Sequence, residues 1–131
     1  MSFMSKKKQS ILVIDDNPSI LRTMTHVLSR AGYSVDAVQT GDEAREKFMT
    51  KSFDAALIDV RLGDLEGTDL LPQIRKNAPT MLTIMFTGTP MSEELLEKAR
   101  KGADVFLLKP VKPEILLGIL EEKFTQRKST A

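Results

Sequence analysis

The chain has 131 residues, of which 41% are hydrophobic and 28% are charged, and this length and composition fit one soluble globular domain with a single core. Its formal net charge of +1 gives no overall field that would attract nucleic acid or an anionic membrane. The chain has no cysteine and only one histidine, His26, which excludes disulfides, thiolate chemistry, cysteine-bound zinc and any metal site built on a pair of histidines.

In the first part of the chain, short apolar runs alternate with amphipathic stretches. Residues 1–9 are expected to form a disordered leader, and residues 11–14 predict the first strand. A helix is expected from about Pro18, which is typical of a first helical turn, to Gly32, which is typical of a helix end. The apolar stripe of this helix is predicted to consist of Ile20, Met24, Val27, Leu28 and Ala31.

The middle of the chain repeats this order of strand and helix. Residues 33–38 alternate between apolar and polar and predict the second strand, and residues 40–43 begin a second helix. The apolar run at residues 55–59 predicts a buried third strand, which a loop at residues 61–67 follows. The inward-facing residues of the second helix are predicted to be Ala44, Phe48 and Met49.

The last part of the chain continues the alternation. Its predicted elements are a third helix through residues 70–74, a fourth strand at 81–86, a fourth helix at 92–102, a fifth strand at 105–108 and a last helix at 113–124. Five strands that alternate strictly with five helices predict a parallel sheet covered by helices on both faces. The domain is expected to span residues 10–126, with a disordered tail at residues 127–131.

Polar side chains stand at the ends of four of the five predicted strands. They are Asp15 and Asp16 after strand one, Asp59 in strand three, Thr87 after strand four and Lys109 after strand five. The carboxyl ends of parallel strands share one edge of a sheet, and in open α/β sheets ligands and chemistry collect at that edge. If these strands are neighbours, three carboxylates, a hydroxyl and an ammonium form one cluster.

The chemistry of this cluster points to a metal ion and to phosphate. Neighbouring carboxylates repel one another unless a cation lies between them. Hard oxygen ligands without histidine or cysteine favour Mg²⁺, and Lys109 adds further positive charge. Such a site suits phosphoryl transfer, where catalysis consists mainly of positioning and charge neutralisation. An aspartate can also be the nucleophile and form an aspartyl phosphate.

The same residues resemble the phospho-acceptor set of receiver domains from two-component response regulators. The resemblance covers about Ser10 to Phe124 and follows the family's order of sequence blocks. These blocks are Val13-Ile14-Asp15-Asp16-Asn17, Gly32-Tyr33, Gly41-Asp42-Glu43-Ala44, Gly67-Thr68-Asp69-Leu70-Leu71 and the run from Gly102 to Pro110. The resemblance implies a doubly wound five-stranded parallel sheet of the flavodoxin-like (βα)5 class, with strand order 2-1-3-4-5.

The resemblance also implies an acceptor residue and a metal site. Asp59 would be the phosphorylated residue. Asp16 would bind Mg²⁺ directly and Asp15 mainly through water, and Asp59 itself and the backbone carbonyl of Arg61 would be further ligands. Mn²⁺ is expected to substitute for Mg²⁺. The reaction would be confined to this side chain, so the chain would catalyse only its own phosphorylation and dephosphorylation and would not be an enzyme for other substrates.

Four further residues receive roles from the resemblance. Lys109 would pair with the phosphoryl group, and Thr87 would donate a hydrogen bond to it. Phe106 would be the aromatic switch residue that follows Thr87, in a position where the family frequently has tyrosine. Pro110 would follow a cis peptide bond. Gly63 stands where the loop after the acceptor often has proline.

The resemblance implies protein partners and an output surface. A histidine kinase or histidine phosphotransfer protein would donate the phosphoryl group. It would dock on the first helix near Asn17, Ser19 and Thr23 and on the loop after Lys109. The surface of helix 4, strand 5 and helix 5 would then change, for an effector domain or a homodimer. Direct binding to nucleic acid or membrane is not expected. No run is long enough to span a bilayer and no signal-peptide pattern is present, so a cytoplasmic protein is expected.

Two other function classes use comparable residues or the same fold. A phosphatase of the haloacid-dehalogenase type would need a second carboxylate two residues after the nucleophile, where this chain has Arg61. A flavodoxin-like binding module would need glycine, serine and threonine donors after the first strand to hold the flavin phosphate. Hydrolysis of phosphate esters and flavin absorbance distinguish these two classes from a phospho-acceptor.

Overall fold

A single parallel sheet of five strands organises the fold, in a computed structural model that describes residues 8–63, 65–88 and 92–129. The strands are β1 (Ser10–Ile14), β2 (Ser34–Val38), β3 (Ala55–Asp59), β4 (Leu82–Thr87) and β5 (Val105–Leu108). The helices are α1 (Pro18–Arg30), α2 (Gly41–Thr50), α3 (Leu71–Asn77), α4 (Glu93–Gly102) and α5 (Pro113–Ser129), and a 3₁₀ turn (Gly67–Leu70) precedes α3. The predicted alternation of strands and helices is confirmed.

The order of the strands decides which residues can meet. It is β2-β1-β3-β4-β5, and every neighbouring pair is parallel. This confirms the doubly wound flavodoxin-like (βα)5 fold that the resemblance implies. The carboxyl ends of β1, β3, β4 and β5 consequently lie side by side at one edge of the sheet, which we call the carboxyl edge.

The apolar core consists of two clusters, one on each face of the sheet. On the first face the strands pack against α1 and α5, where Leu28 and Leu120 are fully buried. On the second face they pack against α2, α3 and α4, where Ile74 and Ala99 are fully buried. Each fully buried leucine or isoleucine stabilises the fold by about 1.5–3 kcal/mol. Because such residues lie on both faces, the helices stabilise the sheet from both sides.

The inward-facing stripes of α1 and α2 differ from the prediction at three positions. In α1, Leu21 is buried, whereas Ala31 is the exposed C-cap residue. In α2, Ala44 and Phe48 are buried as predicted, but Met49 is 61% exposed. Successive residues of a helix point about 100° apart, so a small rotation of the packed face exchanges one residue for its neighbour.

The last helix is longer than predicted. α5 continues past its predicted end at Phe124 to Ser129, whereas the predicted disorder of residues 127–131 stays a prediction. No glycine or proline interrupts this segment. The Arg127 guanidinium donates to the carbonyl of Thr80 and lies 3.8 Å from Asp104 Oδ2. These contacts hold the last turns of α5 against the sheet at the edge opposite the carboxyl edge.

The two ends of the chain lie partly outside the described residues. Of the predicted leader, residues 1–7 are outside them, and so are residues 130–131 of the predicted tail. Gln9, which is described, already belongs to the domain, because its carbonyl accepts a hydrogen bond from the Ser34 amide at 2.9 Å. Among the described residues, no helix has both the length and the apolar character that a membrane span requires.

Candidate functional site

Three charged side chains from different strand ends meet at the carboxyl edge. Asp15 follows β1, Asp59 is the last residue of β3 and Lys109 follows β5. The Lys109 Nζ atom donates hydrogen bonds to Asp15 Oδ2 at 3.0 Å and to Asp59 Oδ2 at 3.1 Å. Asp15 is fully buried and Asp59 is 6% exposed, so the shared ammonium compensates two carboxylates that have lost most of their water.

Asp16 completes an acidic group beside this ion pair. Carboxylate oxygens of Asp15, Asp16 and Asp59 all lie within 4.8 Å of one another, and only Asp16 is exposed. Lys109 hydrogen-bonds to two of the three carboxylates, so negative charge remains in excess. Carboxylate oxygens are the ligands that hard divalent cations such as Mg²⁺ and Ca²⁺ prefer. This part of the predicted metal site is therefore able to hold a metal ion.

The backbone beside each buried aspartate fixes its carboxylate. The Asn17 amide donates to Asp15 Oδ1 at 2.9 Å, and the Arg61 amide donates to Asp59 Oδ1 at 3.2 Å. The side chain of Asn17 also accepts hydrogen bonds from two amides in the first turn of α1 and is its N-cap. Capping of α1 therefore falls to Asn17 and not to Asp16, whose carboxylate belongs to the acidic group.

Burial and neighbouring charges shift the pKa values of Asp59 and Lys109. Burial raises the pKa of Asp59 above its ordinary value, outweighing the hydrogen bond from Lys109, and the charge of Asp15 adds to the rise. Burial alone would lower the pKa of Lys109, but its hydrogen bonds to Asp15 and Asp59 outweigh burial and raise it. Lys109 is consequently a fixed cation at neutral pH.

Thr87 and Pro110 lie at the same edge, whereas Phe106 lies farther back along β5. Thr87 is 3% exposed, and its carbonyl accepts a hydrogen bond from the Lys109 amide at 2.8 Å. The Lys109–Pro110 peptide bond is cis, the isomer that the resemblance implies. Phe106 pairs in register with Met85 and is half-buried against the second-face cluster. The switch roles of Thr87 and Phe106 stay predictions.

The loop after Asp59 is closed by its own backbone. Arg61 and Glu66 form an isolated antiparallel bridge, and the Gly67 amide donates to the Val60 carbonyl at 2.6 Å. The peptide of Arg61 is held beside the acidic group, because its amide bonds to Asp59. The role of the Arg61 carbonyl as a metal ligand stays a prediction.

The ring of Phe86 also reaches the site, although no sequence pattern predicted this. Lys109 Nζ lies 5.2 Å from the centre of this ring, within the range at which an ammonium and an aromatic face attract. The sequence indicates that Phe86 is near the site only in that it directly precedes Thr87. Which face of β4 carries its side chain depends on the pairing of the strands, which the sequence alone does not define.

Known proteins resemble this chain in sequence. Residues 11–121 match the response regulator receiver domain family. The chain is 32% identical over 131 residues to the alginate biosynthesis transcriptional regulatory protein AlgB of Pseudomonas aeruginosa, a match that covers 100% of this chain and 29% of that protein. The chain therefore spans less than a third of the length of that regulator.

Solved structures resemble it in fold. A CheY-like response regulator receiver domain protein from Methanospirillum hungatei JF-1 superposes with a TM-score of 0.90 and 35% identity, covering 95% of this chain and 100% of that one. A response regulator protein from Burkholderia pseudomallei, solved with a phosphorylated aspartic acid, a calcium ion and citrate, has a TM-score of 0.80 and 29% identity, covering 94% of this chain and 72% of that one.

Proposed function

Because this chain belongs to the response regulator receiver domain family, we propose that it accepts a phosphoryl group on Asp59 from a phosphohistidine of a histidine kinase or a histidine phosphotransfer protein. The observation that carries the proposal is the position of Lys109, whose ammonium is hydrogen-bonded to both Asp15 and Asp59. A fixed cation at this point lies where an incoming phosphoryl group brings negative charge.

In the proposed reaction, a carboxylate oxygen of Asp59 attacks the phosphorus atom of the phosphohistidine. An O–P bond forms and the P–N bond breaks, and its electron pair stays on the imidazole nitrogen, which takes up a proton from water. The Arg61 amide and the Lys109 ammonium hydrogen-bond to different oxygens of Asp59, so the carboxylate is oriented before the donor arrives. The chain acts only on its own side chain, including the later release of phosphate to water.

The proposed cofactor is Mg²⁺, for which Mn²⁺ is expected to substitute. Asp15, Asp16 and Asp59 would hold it together with the backbone carbonyl of Arg61. When bound, such an ion supplies positive charge that neutralises the phosphoryl oxygens. The chain's own contribution is to keep the oxygens of three carboxylates within 4.8 Å of one another against their repulsion.

An apolar groove beside Lys109 supports a docking site for the phosphohistidine partner. Its volume is about 380 Å³, and it lies between α1 and the segment after Lys109, with walls that include Ser19, Thr23, Pro110 and Leu116. Thr23→Arg is expected to slow transfer from a histidine phosphotransfer protein and to leave transfer from acetyl phosphate unchanged, because the small donor does not fill the groove. His26→Arg, at an exposed position of α1 outside this groove, is the matched control.

The proposed output surface is formed by α4, β5 and α5. A phosphoryl group on Asp59 brings acceptor oxygens that Thr87 and Lys109 can engage. Inward movement of the Thr87 hydroxyl would leave space for the ring of Phe106. Leu108 on β5 is 69% exposed and offers apolar contact to a partner. We propose an effector domain or a second copy of the chain as that partner.

Intact mass spectrometry tests the acceptor assignment. Incubation with acetyl phosphate and Mg²⁺ is expected to add one phosphoryl group, about 80 Da, which hydroxylamine then removes because the linkage is an acyl phosphate. Asp59→Asn is expected to abolish the added mass, whereas Asp69→Asn, at an exposed carboxylate, is expected to label like the wild type. Equal labelling of Asp59→Asn would contradict the proposal.

The two other function classes are tested alongside. Turnover of para-nitrophenyl phosphate by the wild type would favour a phosphatase, and the visible absorbance of an oxidised flavin would favour a flavin-binding module. Neither is expected, because Arg61 occupies the position of the second phosphatase carboxylate. The acidic group at the carboxyl edge would also repel a flavin phosphate.

A further inference from the structure

Phe86 occupies a central position between the acceptor strand and the strand that leads to Lys109. In β4 it pairs in register with Asp59 of β3 on one side and with Leu107 of β5 on the other. Its carbonyl accepts a hydrogen bond from the Val60 amide at 3.0 Å, and its side chain is 1% exposed. The backbone of Phe86 is therefore held by two neighbouring strands, and its ring is packed in the core.

The Lys109 ammonium makes contact with this ring as well as with the two carboxylates. Its Nζ atom lies 5.2 Å from the centre of the Phe86 ring, and two hydrogen bonds join it to Asp15 and Asp59. The electron-rich face of an aromatic ring attracts a cation, and the attraction grows as water is removed. The Lys109 side chain is only 19% exposed, so the contact is formed largely away from water.

The aliphatic part of the Lys109 side chain is confined at a second point. A β-carbon added to Gly88 would lie 3.2 Å from Lys109 Cβ and 3.3 Å from Lys109 Cδ. The lysine stem therefore passes close to the backbone just after β4. A free lysine side chain has many rotamers, whereas this one is restricted along the stem by Gly88 and at the ammonium by the ring.

We propose that Phe86 is a positioning residue, whose ring holds the Lys109 ammonium between Asp15 and Asp59 before a phosphoryl group arrives. This inference rests on the proposed function, because it concerns the same site. Phe86 also belongs to the cluster between the sheet and the helices α1 and α5. If Phe86 served only the core, its substitution would lower the stability of the fold but would leave the Lys109 ammonium in place.

The first test compares rates of phosphorylation. Phe86→Leu and Phe86→Met remove the aromatic face but keep an apolar side chain, and Phe124→Leu removes an aromatic ring from the same cluster beside Tyr33. We expect both Phe86 variants to label with acetyl phosphate and Mg²⁺ roughly 3- to 10-fold more slowly than Phe124→Leu, as a cation–π contact of strength between the exposed and the fully desolvated limits implies. Labelling at the rate of Phe124→Leu would overturn the proposal.

The second test observes Lys109 directly in the metal-free, unphosphorylated protein by NMR. In the wild type, the Lys109 Cε protons are expected to show nuclear Overhauser effects to the Phe86 ring and an upfield ring-current shift. Phe86→Leu should move this resonance downfield, and Phe124→Leu should leave it in place. Missing Overhauser effects in the wild type, or an unmoved resonance in Phe86→Leu, would overturn the proposal. If the wild type is not phosphorylated by acetyl phosphate, that result would contradict the proposed function. The NMR spectra of Lys109 would still test the role of Phe86 separately.

Discussion

A β-carbon on Gly67 would lie 2.1 Å from the backbone oxygen of Asp59. The contact would be with a main-chain atom of β3 and not with the end of a flexible side chain. The same glycine donates its amide to the carbonyl of Val60 at 2.6 Å. The loop after Asp59 can therefore return against β3 only because residue 67 has no side chain.

Gly67→Ala is expected to lower the free energy of unfolding by about 1–3 kcal/mol, as overpacking of a well-filled site does. The loop and the Asp59 backbone must separate to make room, so phosphorylation should slow as well. Urea denaturation and labelling with acetyl phosphate measure the two effects. Gly63→Ala is the matched control in the same loop, since nothing lies within 4 Å of a β-carbon there. Equal stability of the two variants would contradict this reading of the contact.

Asp16→Ala is expected to weaken Mg²⁺ binding by roughly tenfold or more, equivalent to about 1.4 kcal/mol. Asp16 is exposed, so its loss should not damage the core, and the metal-free variant should melt at a higher temperature because repulsion within the acidic group is relieved. Isothermal titration calorimetry with Mg²⁺ measures the affinity. Glu122→Ala, which removes an exposed carboxylate from α5, should bind Mg²⁺ like the wild type. Unchanged affinity in Asp16→Ala would remove this residue from the ligand set.

Asp104, which lies just before β5, makes the free energy of unfolding decrease at low pH. Burial alone would raise the pKa of Asp104, but hydrogen bonds from Thr83 and the charge of Arg75 outweigh it and hold the pKa below its ordinary value. The Thr83 amide donates to Asp104 Oδ2 at 2.8 Å, and Arg75 Nη2 lies 3.2 Å from Oδ1. The folded state therefore binds the proton less readily than the unfolded chain. The stabilisation from Asp104 is complete above the pKa of this residue in the unfolded chain, near 4. It is lost as the pH falls through the lower pKa that Asp104 has in the folded state.

Asp104→Asn is expected to lower the free energy of unfolding by about 1–2 kcal/mol at pH 7, because it removes a charged acceptor that is only partly screened by water. The difference from the wild type should shrink as the pH falls from about 5 to 3. Urea denaturation at several pH values measures this. Glu97→Gln, which breaks an exposed pair with Lys101, should change stability much less. A difference for Asp104→Asn that grows towards low pH would contradict the assigned sign.

Thr87→Ala is expected to uncouple phosphorylation from the output surface. Beryllofluoride with Mg²⁺ imitates the phosphoryl group, and in the wild type it should shift the amide resonances of residues 93–108 because Thr87 moves towards it. Thr87→Ala should keep the changes near Asp59 and lose those in residues 93–108, and Thr87→Ser, which keeps the hydroxyl, should behave like the wild type. Undiminished changes in Thr87→Ala would mean that another residue carries the switch.

The sequence predicted the fold and the central ion group well for a physical reason. Asp15, Asp59 and Lys109 each follow an apolar run, and the ends of parallel strands necessarily share an edge. The burial of Leu21 instead of Ala31 was missed, because the packed face of a helix depends on the angle at which it lies on the sheet. The ring of Phe86 was missed because its direction depends on strand pairing.

The extent of α5 was missed for a different reason. Its last turns contain no apolar repeat that would predict a helix there, and they are held by contacts of Arg127 with Thr80 and Asp104, which are distant in sequence. Contacts between residues so far apart leave no local pattern. The same holds for the network around Asp104, whose members come from α3, β4, the segment before β5 and α5.

The hydrogen bond between Lys109 and Asp15 joins residues 94 positions apart. During synthesis Asp15 and Asp59 leave the ribosome before Lys109. Closing so long a loop costs conformational entropy, which is offset only when the strands between these residues have paired. Until the strands have paired, Lys109 is not placed beside the carboxylates of Asp15 and Asp59. The proposed ability to accept a phosphoryl group would therefore appear only when the sheet is complete.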